Sequence, residues 1–244
     1  MRLSSFARPV TLVLILSVIF SCKSETEIFN AEQLSQYMPL AIGKYITYRI
    51  DSTVFPNFGR STEIHKYQVK HVIESQITDN LGRPSYRVFR YLRDTAGTQP
   101  WTPGGSYFIT PQSDQVEIIE DNLRFIKLHA IIREGNNWKG NRFLPPDPYR
   151  PLYNFSNDDD IDEWDYNIDN LSSSFLYRGF TYPDVYTIEE ADESFNYPNL
   201  DPNFYAARTR AVEKYSKNIG LVYREYELWE YQPNTGGSGG PYRT

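Results

Sequence analysis

Length, composition and charge exclude several classes of function before any motif is considered. The chain has 244 residues and a formal net charge of −6, with 25 Lys and Arg against 31 Asp and Glu. This acidic balance, without a basic run, is unsuited to a surface that follows phosphates, so we expect no nucleic-acid partner. The 20 Tyr, 14 Phe and 4 Trp favour strands over helices. They indicate an aromatic-rich β core, and a dedicated aromatic binding platform is the alternative.

The amino-terminal segment is typical of a secretory signal. Arg2 and Arg8 precede an apolar run that ends just before Ser21 and Cys22. A basic start, a short apolar run and a small residue before the cleavage point define such a signal. The run is too short to cross about 30 Å of hydrocarbon as a helix. We therefore predict a signal peptide over residues 1–21.

The segment Ile19-Phe20-Ser21-Cys22 resembles the lipobox of bacterial lipoproteins, although Phe20 stands where a small residue is usual. The resemblance implies diacylglycerol on the Cys22 thiol, cleavage before Cys22, and acylation of the new amine with a fatty acid such as palmitate. Several acyl chains hold a protein stably at a membrane. Cys22 is the only cysteine, so its lipidation leaves no disulfide, cysteine nucleophile or cysteine-ligated metal. An ordinary signal peptide with an incidental cysteine is the alternative.

The residues after the cysteine indicate a destination. Lys23 follows Cys22, whereas an Asp there would resemble an inner-membrane retention signal, so the outer membrane is favoured. The basic and then acidic run over residues 23–27 also resembles a surface-export signal of Bacteroidota lipoproteins. The periplasmic face and the cell surface both stay open. We predict that residues 22–36 form the lipidated terminus and a tether, with a short helix over residues 31–35.

Alternating apolar and polar residues predict a single β-rich domain over residues 37–232. One domain is expected because all-β domains often have about 200–250 residues. Loops are predicted around Trp101 over residues 97–105 and in the proline-rich segment 143–153. The predicted strands lie at residues 46–51, 63–78, 85–93, 116–119, 123–128, 164–168, 173–178, 185–189, 206–215 and 221–231.

The predicted fold class is mainly β, as an antiparallel sheet, a half-barrel or a sandwich with one or two short helices. The number of strands alone does not decide among these closures. Residues 233–244 are predicted to form a disordered Gly-rich tail, because they offer little apolar surface to bury.

Short motifs follow the lipobox along the chain. They are Tyr37-x-Pro39-Leu40-x-x-Gly43, Gly135-x-x-Trp138-x-Gly140-Asn141, Trp164-x-Tyr166, and Ile219-Gly220-Leu221-Val222-Tyr223 with Trp229. In this order they resemble a group of uncharacterised Bacteroidota outer-membrane lipoproteins, over most of residues 37–232. The resemblance implies a β-rich protein anchored in the outer membrane. It implies no activity, cofactor or catalytic residue.

An acidic stretch is the strongest candidate for an ion site. Asp158, Asp160, Asp162 and Asp169 match positions one, three, five and twelve of an EF-hand loop. Glu163 replaces the turn glycine of that loop, and the flanking residues lack a helical pattern, so an EF-hand itself is not predicted. Two interpretations stay open, a Ca²⁺ loop of another kind and a solvated acidic loop without an ion. No other cofactor is expected.

The sequence carries no recognisable motif for catalysis. His65 and His71 lie about 20 Å apart on one predicted strand, and with His129 they make no compact set of metal ligands. SxxK, P-loop and GxGxxG motifs are absent from the sequence, and its GxSxG match at Gly236-Gly237-Ser238-Gly239-Gly240 lies in the predicted Gly-rich tail, without the strand and helix that such a motif needs. The glutamates on candidate strands are expected to face solvent, and these are Glu117, Glu120, Glu225 and Glu227. We therefore predict a protein without enzymatic activity.

The leading functional hypothesis is a membrane-anchored lipoprotein that binds a ligand or partner without catalysis. A glycan, a lipid or an envelope protein is the expected partner, and Cys22 holds the membrane. The first alternative is an envelope assembly protein or lipid carrier, and the second is a glycan-active hydrolase. An open groove of Tyr and Trp favours ligand binding, and a deep dry cavity favours a lipid carrier. Two buried carboxylates with raised pKa favour a hydrolase.

Overall fold

Antiparallel strands form most of the folded chain, as the alternating sequence pattern predicts. The computed structural model describes residues 32–150, 152–153, 160–234, 236 and 239–244. Strands make up 58% of these residues and form two antiparallel sheets, one of which is a half-barrel. The predicted signal peptide, Cys22 and Asp158 lie outside the described residues.

The first sheet is a six-stranded meander in which each strand pairs with the next along the chain. Its strands are β1 Tyr45–Val54, β2 Glu63–Thr78, β3 Pro84–Asp94, β4 Thr102–Pro111, β5 Gln115–Glu120 and β6 Leu123–His129. Short turns suffice for such pairing, and Gly82 closes the turn between β2 and β3 with a φ of +76°. The long strand predicted over residues 63–78 is confirmed as β2.

The second sheet is also a six-stranded meander, and its order runs from β12 at one edge to β7 at the other. Its strands are β7 Asn137–Lys139, β8 Asp165–Tyr177, β9 Phe180–Phe195, β10 Ala206–Ser216, β11 Gly220–Gln232 and β12 Tyr242–Arg243. The carboxy-terminal hairpin predicted from Asn218 and Gly220 is present as β10 and β11.

Helices are short, as predicted. They are α1 Leu34–Tyr37 and α2 Pro56–Gly59, and a 3₁₀ turn lies at Ile161–Glu163. In α2, Asn57 and Phe58 have left-handed backbone angles, so this element is a tight turn rather than a regular helix. Across the described ranges, no helix is both long enough and apolar enough to cross a membrane.

The loop around Trp101 is shorter than predicted. Residues 102–105 belong to β4, although Pro103, Gly104 and Gly105 are typical of loops. A Cβ atom at Gly104 would lie only 1.9 Å from the Leu92 side chain of β3. The glycine therefore permits a close approach of two strands, and that reason cannot be distinguished from a loop signal in the sequence.

The end of the chain differs from the disordered tail predicted over residues 233–244. Tyr242 and Arg243 pair with Gln232 and Tyr231, and these two residues form β12. A strand at the edge of a sheet presents unpaired backbone N–H and C=O groups, and β12 supplies partners for some of those on β11. Backbone pairing, which needs no apolar side chain, orders this segment.

The inner faces of the two sheets pack together through one buried cluster. Ile73 and Val88 of the first sheet join Tyr166, Tyr186 and Tyr215 of the second sheet in this cluster, and all five side chains are buried. The aromatic residues therefore contribute to the core, as the preferred interpretation of the composition predicts. Close packing of these rings holds the two sheets together in one core.

Candidate functional site

A cleft lies between the inner faces of the two sheets and has two lobes. The polar lobe has a volume of about 190 Å³ and is lined by charged and aromatic side chains. The apolar lobe has a volume of about 70 Å³, and most of its wall is aliphatic. Glu120 of β5 and Arg224 of β11 line both lobes, so the two lobes adjoin at these residues.

Six charged side chains line the polar lobe, and Glu120 and Glu225 pair with arginines that lie outside it. The other four, which we call the charge cluster, are Lys127, Glu190, Glu213 and Arg224. Lys127 Nζ lies 2.6 Å from Glu190 Oε1 and 3.5 Å from Glu213 Oε1. Arg224 Nε donates a hydrogen bond to Glu213 Oε1 at 2.7 Å. Charges are costly to bury unless they are paired, and in this cluster two cations balance two anions.

Strand register brings the charge cluster together. Glu213 of β10 is the direct cross-strand partner of Arg224 on β11, which places both side chains on one face of the sheet. Lys127 of β6 and Glu190 of β9 are the extra residues of two β-bulges, one in each sheet. A bulge changes the direction in which a side chain points. The two bulged residues meet across the cleft and form the ion pair.

The two acids of the charge cluster differ in their affinity for protons. Burial raises the pKa of Glu190, and the nearby Lys127 offsets this only in part. Burial would also raise the pKa of Glu213, but Arg224 and Lys127 outweigh burial and hold that pKa below its usual value. Glu190 is therefore the member of the cluster that takes up a proton first as the pH falls.

Arg224 differs from the rest of the charge cluster in its exposure. Its side chain is 38% exposed, whereas that of Glu213 beside it is 2% exposed. Because Arg224 lines both lobes, we assign this exposed area to the cleft. Within the described residues its only hydrogen bond is the one from Nε to Glu213. The terminal nitrogens Nη1 and Nη2 therefore have no acceptor among the described residues, and Arg224 presents them to the cleft that it lines.

Aromatic rings line much of the remaining polar lobe, and these are Phe125, Tyr149, Trp164, Tyr166 and Tyr226. The Tyr226 hydroxyl donates to the Tyr149 hydroxyl at 3.1 Å. The Trp164 ring centroid lies 6.4 Å from that of Tyr226. Ring faces beside a few convergent polar groups are typical of small-molecule sites and suit a ligand with a flat or ring-shaped body.

Polar side chains also line the apolar lobe, and Tyr48, His71 and Tyr107 are among them. Tyr48 donates through its hydroxyl to the Leu221 carbonyl in the other sheet at 3.0 Å. Burial, with smaller contributions from nearby arginines, lowers the pKa of His71 to about 4. The imidazole is thus neutral at pH 7, and its Nδ1 lies 3.0 Å from the Tyr107 hydroxyl, which can donate to it.

Three of the predicted calcium ligands, Asp160, Asp162 and Asp169, do not line this cleft. Asp160 caps the 3₁₀ turn with a φ of +64°, Asp162 belongs to that turn, and Asp169 lies on β8. Asp158 is outside the described residues. Where the chain is described, no group of three or more His, Cys, Asp or Glu is placed to hold a metal ion. The Ca²⁺ loop stays a prediction.

The prediction that strand glutamates face solvent is wrong for Glu117. Its side chain is 2% exposed, and Arg83 Nη2 donates to it at 2.9 Å. Gln112 and Gln115 each donate to its Oε1 at 2.8 Å. These donors replace water, which allows a carboxylate to be buried. Glu120 is half-buried in the cleft and pairs with an arginine of β3.

Lys127, Glu190 and Glu213 were not predicted from the sequence. In an alternating strand a charged residue is expected on the solvent face, and bulges that reverse this expectation leave no fixed sequence pattern. One signal was present for Lys127, since it is the single charge between Ile126 and Leu128. A lone charge inside an apolar run is a reason to expect a buried partner.

No protein-family model, curated protein or solved structure matches the chain. Its functional interpretation therefore depends on the chemistry of the cleft. The cleft offers paired carboxylates, a buried lysine, an arginine with unused donors, and aromatic rings around a space of about 190 Å³.

Proposed function

We propose that the protein is an envelope lipoprotein that binds a small ligand in the cleft between its sheets, without chemistry on that ligand. The polar lobe is the observation that supports this most directly, because paired charges and aromatic rings surround about 190 Å³ of space. Protein interiors normally contain few voids larger than a water molecule. A space of this size with polar groups directed into it is typical of a binding site.

The volumes of the lobes indicate the size of the ligand. A cavity of about 150 Å³ accepts a molecule such as benzene. The polar lobe, at about 190 Å³, therefore has room for one ring-sized group, and the apolar lobe adds about 70 Å³ for a few carbon atoms. A long acyl chain needs more room than this. We therefore favour a small ligand over the function of a lipid carrier.

A glycan-active hydrolase is the second candidate, because Glu190 and Glu213 are buried carboxylates with pKa values shifted in opposite directions. Such enzymes need one protonated acid and one carboxylate directed at the substrate. Both glutamates instead contact Lys127 within 3.5 Å. Engagement of both acids by one cation favours binding over hydrolysis.

Anchoring in the outer membrane through Cys22, facing the periplasm or the cell surface, is part of the proposal and rests on the lipobox. Radiolabelled palmitate is expected to enter the wild-type protein and not the Cys22→Ala variant. Equal labelling of the two proteins, or none in either, would refute lipidation at this residue.

Ligand binding is tested on the full chain in detergent by thermal-shift measurements. The panel consists of monosaccharides, uronic acids, aromatic acids, short fatty acids and their neutral amides. A ligand at 100 times its Kd adds about 2.7 kcal/mol of stability, which gives a measurable shift in Tm. We expect at least one compound to raise Tm and the Phe125→Trp variant, with a larger ring on the polar-lobe wall, to lose that shift.

Phe108→Trp is the matched control, since Phe108 is a half-buried residue of the same sheet that lines neither lobe. It should keep the ligand-induced shift. A flat response to the whole panel, or equal shifts in both variants, would contradict binding in the cleft. Release of a product sugar from a glycoside, lost in Glu190→Gln, would instead favour the hydrolase.

A further inference from the structure

The carboxylates of the charge cluster already have donors from the protein. Glu213 Oε1 accepts from Arg224 at 2.7 Å, and its Oε2 accepts from Tyr215 at 2.5 Å. Glu190 Oε1 accepts from Lys127 at 2.6 Å. The ammonium of Lys127 lies among both acids and the Tyr166 hydroxyl, which is 3.4 Å away. A ligand therefore gains little from offering further donors to these acids.

The donors of Arg224, in contrast, are mostly unpaired among the described residues. Only Nε is used, by Glu213, and over the described part of the chain Nη1 and Nη2 have no acceptor. With 38% of the side chain exposed to the cleft, both nitrogens are open to a ligand. A guanidinium presents parallel N–H groups whose spacing matches the two oxygens of a carboxylate. The unused hydrogen-bonding capacity of the charge cluster thus calls for a ligand that brings acceptors.

The position of Arg224 also indicates what surrounds such an acceptor group. This residue lines both lobes. On one side the aliphatic wall, with Ile46, Ile73 and Leu221, suits a small apolar substituent. On the other side the polar lobe and its aromatic rings have room for a ring or polar body. A ligand bound at Arg224 can therefore place an apolar substituent in the apolar lobe and its larger body in the polar lobe.

We infer that Arg224 binds a carboxylate of the ligand, and that the ligand is a small organic acid with an apolar part. This inference rests on the proposed ligand-binding function and gives its ligand a chemical class. The charge cluster is balanced before binding, so a single negative charge is easier to accommodate than the two charges of a phosphate group. Recognition by two parallel hydrogen bonds favours the planar carboxylate for the same site.

The test compares acids with neutral compounds of the same shape. Phenylacetate and hexanoate are each titrated beside their primary amides, at pH 7, into the full chain in detergent by isothermal titration calorimetry. We expect at least one acid to bind at least tenfold more tightly than its amide. Arg224→Lys keeps a positive charge beside Glu213 but removes the guanidinium fork. It should weaken binding of the acid at least tenfold and leave binding of the amide within twofold.

Arg87→Lys is the matched control. Arg87 is 40% exposed and pairs with Glu74 at 2.8 Å, and neither residue lines either lobe. Its substitution should change neither affinity. Inorganic phosphate is titrated as well, and binding of phosphate more tightly than either acid would overturn the carboxylate assignment.

The outcomes separate this inference from the function on which it rests. Equal affinity for acid and amide, or unaltered acid binding in Arg224→Lys, overturns the role of Arg224 but leaves a cleft that binds neutral ligands. Failure of every compound in the wider panel to bind overturns the ligand-binding function itself. If circular dichroism shows that Arg224→Lys is unfolded, the comparison of acid and amide in the wild type decides the inference alone.

Discussion

Lys127 shows what a single buried charge requires of its surroundings. Its side chain is 9% exposed, and the two acids that it contacts are each 2% exposed. Burial would lower its pKa, but the two glutamates raise that pKa above its ordinary value, so the ammonium stays charged. The lysine comes from the first sheet and both acids from the second. The same contacts that shape the polar lobe therefore hold the sheets together.

Lys127→Met should destabilise the protein by about 3–5 kcal/mol, because it leaves two buried carboxylates without their cation. Urea unfolding followed by tryptophan fluorescence measures the loss. Lys139→Met is the control, since Lys139 is 44% exposed and pairs at 3.1 Å with an exposed Asp165. That change should cost less than about 1 kcal/mol. Equal losses in the two variants would show that the buried ion pairs contribute no more to the free energy of unfolding than the exposed one.

His71 makes stability depend on pH. Its pKa is about 4 in the folded protein against a usual 6.5. Between these values the unfolded chain binds a proton that the folded protein does not. The contribution of His71 to the free energy of unfolding is therefore present above pH 6.5 and is lost as the pH falls towards 4. Its magnitude is roughly 3 kcal/mol.

His71→Gln removes this titration and keeps an acceptor for the Tyr107 hydroxyl. The free energy of unfolding in urea is measured for both proteins from pH 7.5 to pH 4. We expect the wild type to lose stability more steeply than the variant below pH 6.5, by roughly 3 kcal/mol at the acid end. Parallel pH curves would mean that His71 accepts protons equally in both states.

At the level of elements, period-two alternation is enough to locate most of the strands. The long strand β2 and the hairpins β5–β6 and β10–β11 were predicted because one of their faces is apolar. β4 was not predicted, because its first residues include proline and glycine, and only packing against β3 explains them. β8 was seen as separate pieces, since Asp169 is an extra residue at a bulge that interrupts its alternation.

The sequence predicts the fold much better than it predicts the candidate site. Alternation indicates which residues share a face, but it does not indicate which strands of two sheets lie opposite each other. Lys127 and Glu190 meet only because two bulges coincide across the cleft. That coincidence depends on the docking of the sheets, which no local pattern encodes.

Gly140, just after β7, packs so closely against β8 that a side chain at this position would clash. A Cβ atom at Gly140 would lie 2.4 Å from the ring of Tyr166, which is fully buried on β8. The Tyr166 hydroxyl donates to Asn141 Oδ1 at 2.6 Å, so a shift of the ring would disturb this buried hydrogen bond. Glycine is therefore required here by close packing.

Gly140→Ala should destabilise the protein by about 1–3 kcal/mol, the usual cost of forcing an extra methyl group into a packed core. Thermal or urea unfolding measures it. Asn137→Ala, at an exposed position of β7, is the control and should stay within about 0.5 kcal/mol of the wild type. Near-equal stability of Gly140→Ala and the control would show that the second sheet adjusts around Tyr166.

On the scale of the whole molecule, the two sheets are built from consecutive halves of the chain. Each strand pairs with a sequence neighbour, and β6 is the last strand of one sheet while β7 is the first of the other. No strand of the described chain returns to the sheet that it has left. Most pairings are therefore local in sequence, which favours rapid formation of each sheet.

The cleft, by contrast, belongs to neither half. Lys127 lies in the first half, and Glu190, Glu213 and Arg224 lie in the second. The shared core and the ion pairs of Lys127 with Glu190 and Glu213 form only when the two sheets dock. Ligand binding thus reports on the assembled molecule.

The strands pass from the first sheet to the second once, between β6 and β7. The protein is therefore a candidate for reconstitution from two pieces. Arg133 and Glu134 are exposed in the connection after β6, so a break between them removes no strand pairing. Polypeptides of residues 1–133 and 134–244, produced together, are expected to co-purify and to recover the near-ultraviolet circular dichroism of the intact chain. Native tertiary signal from either piece alone would show that one half is self-sufficient. In the reassembled protein, ligand binding in the cleft would then measure the association of two separate polypeptides.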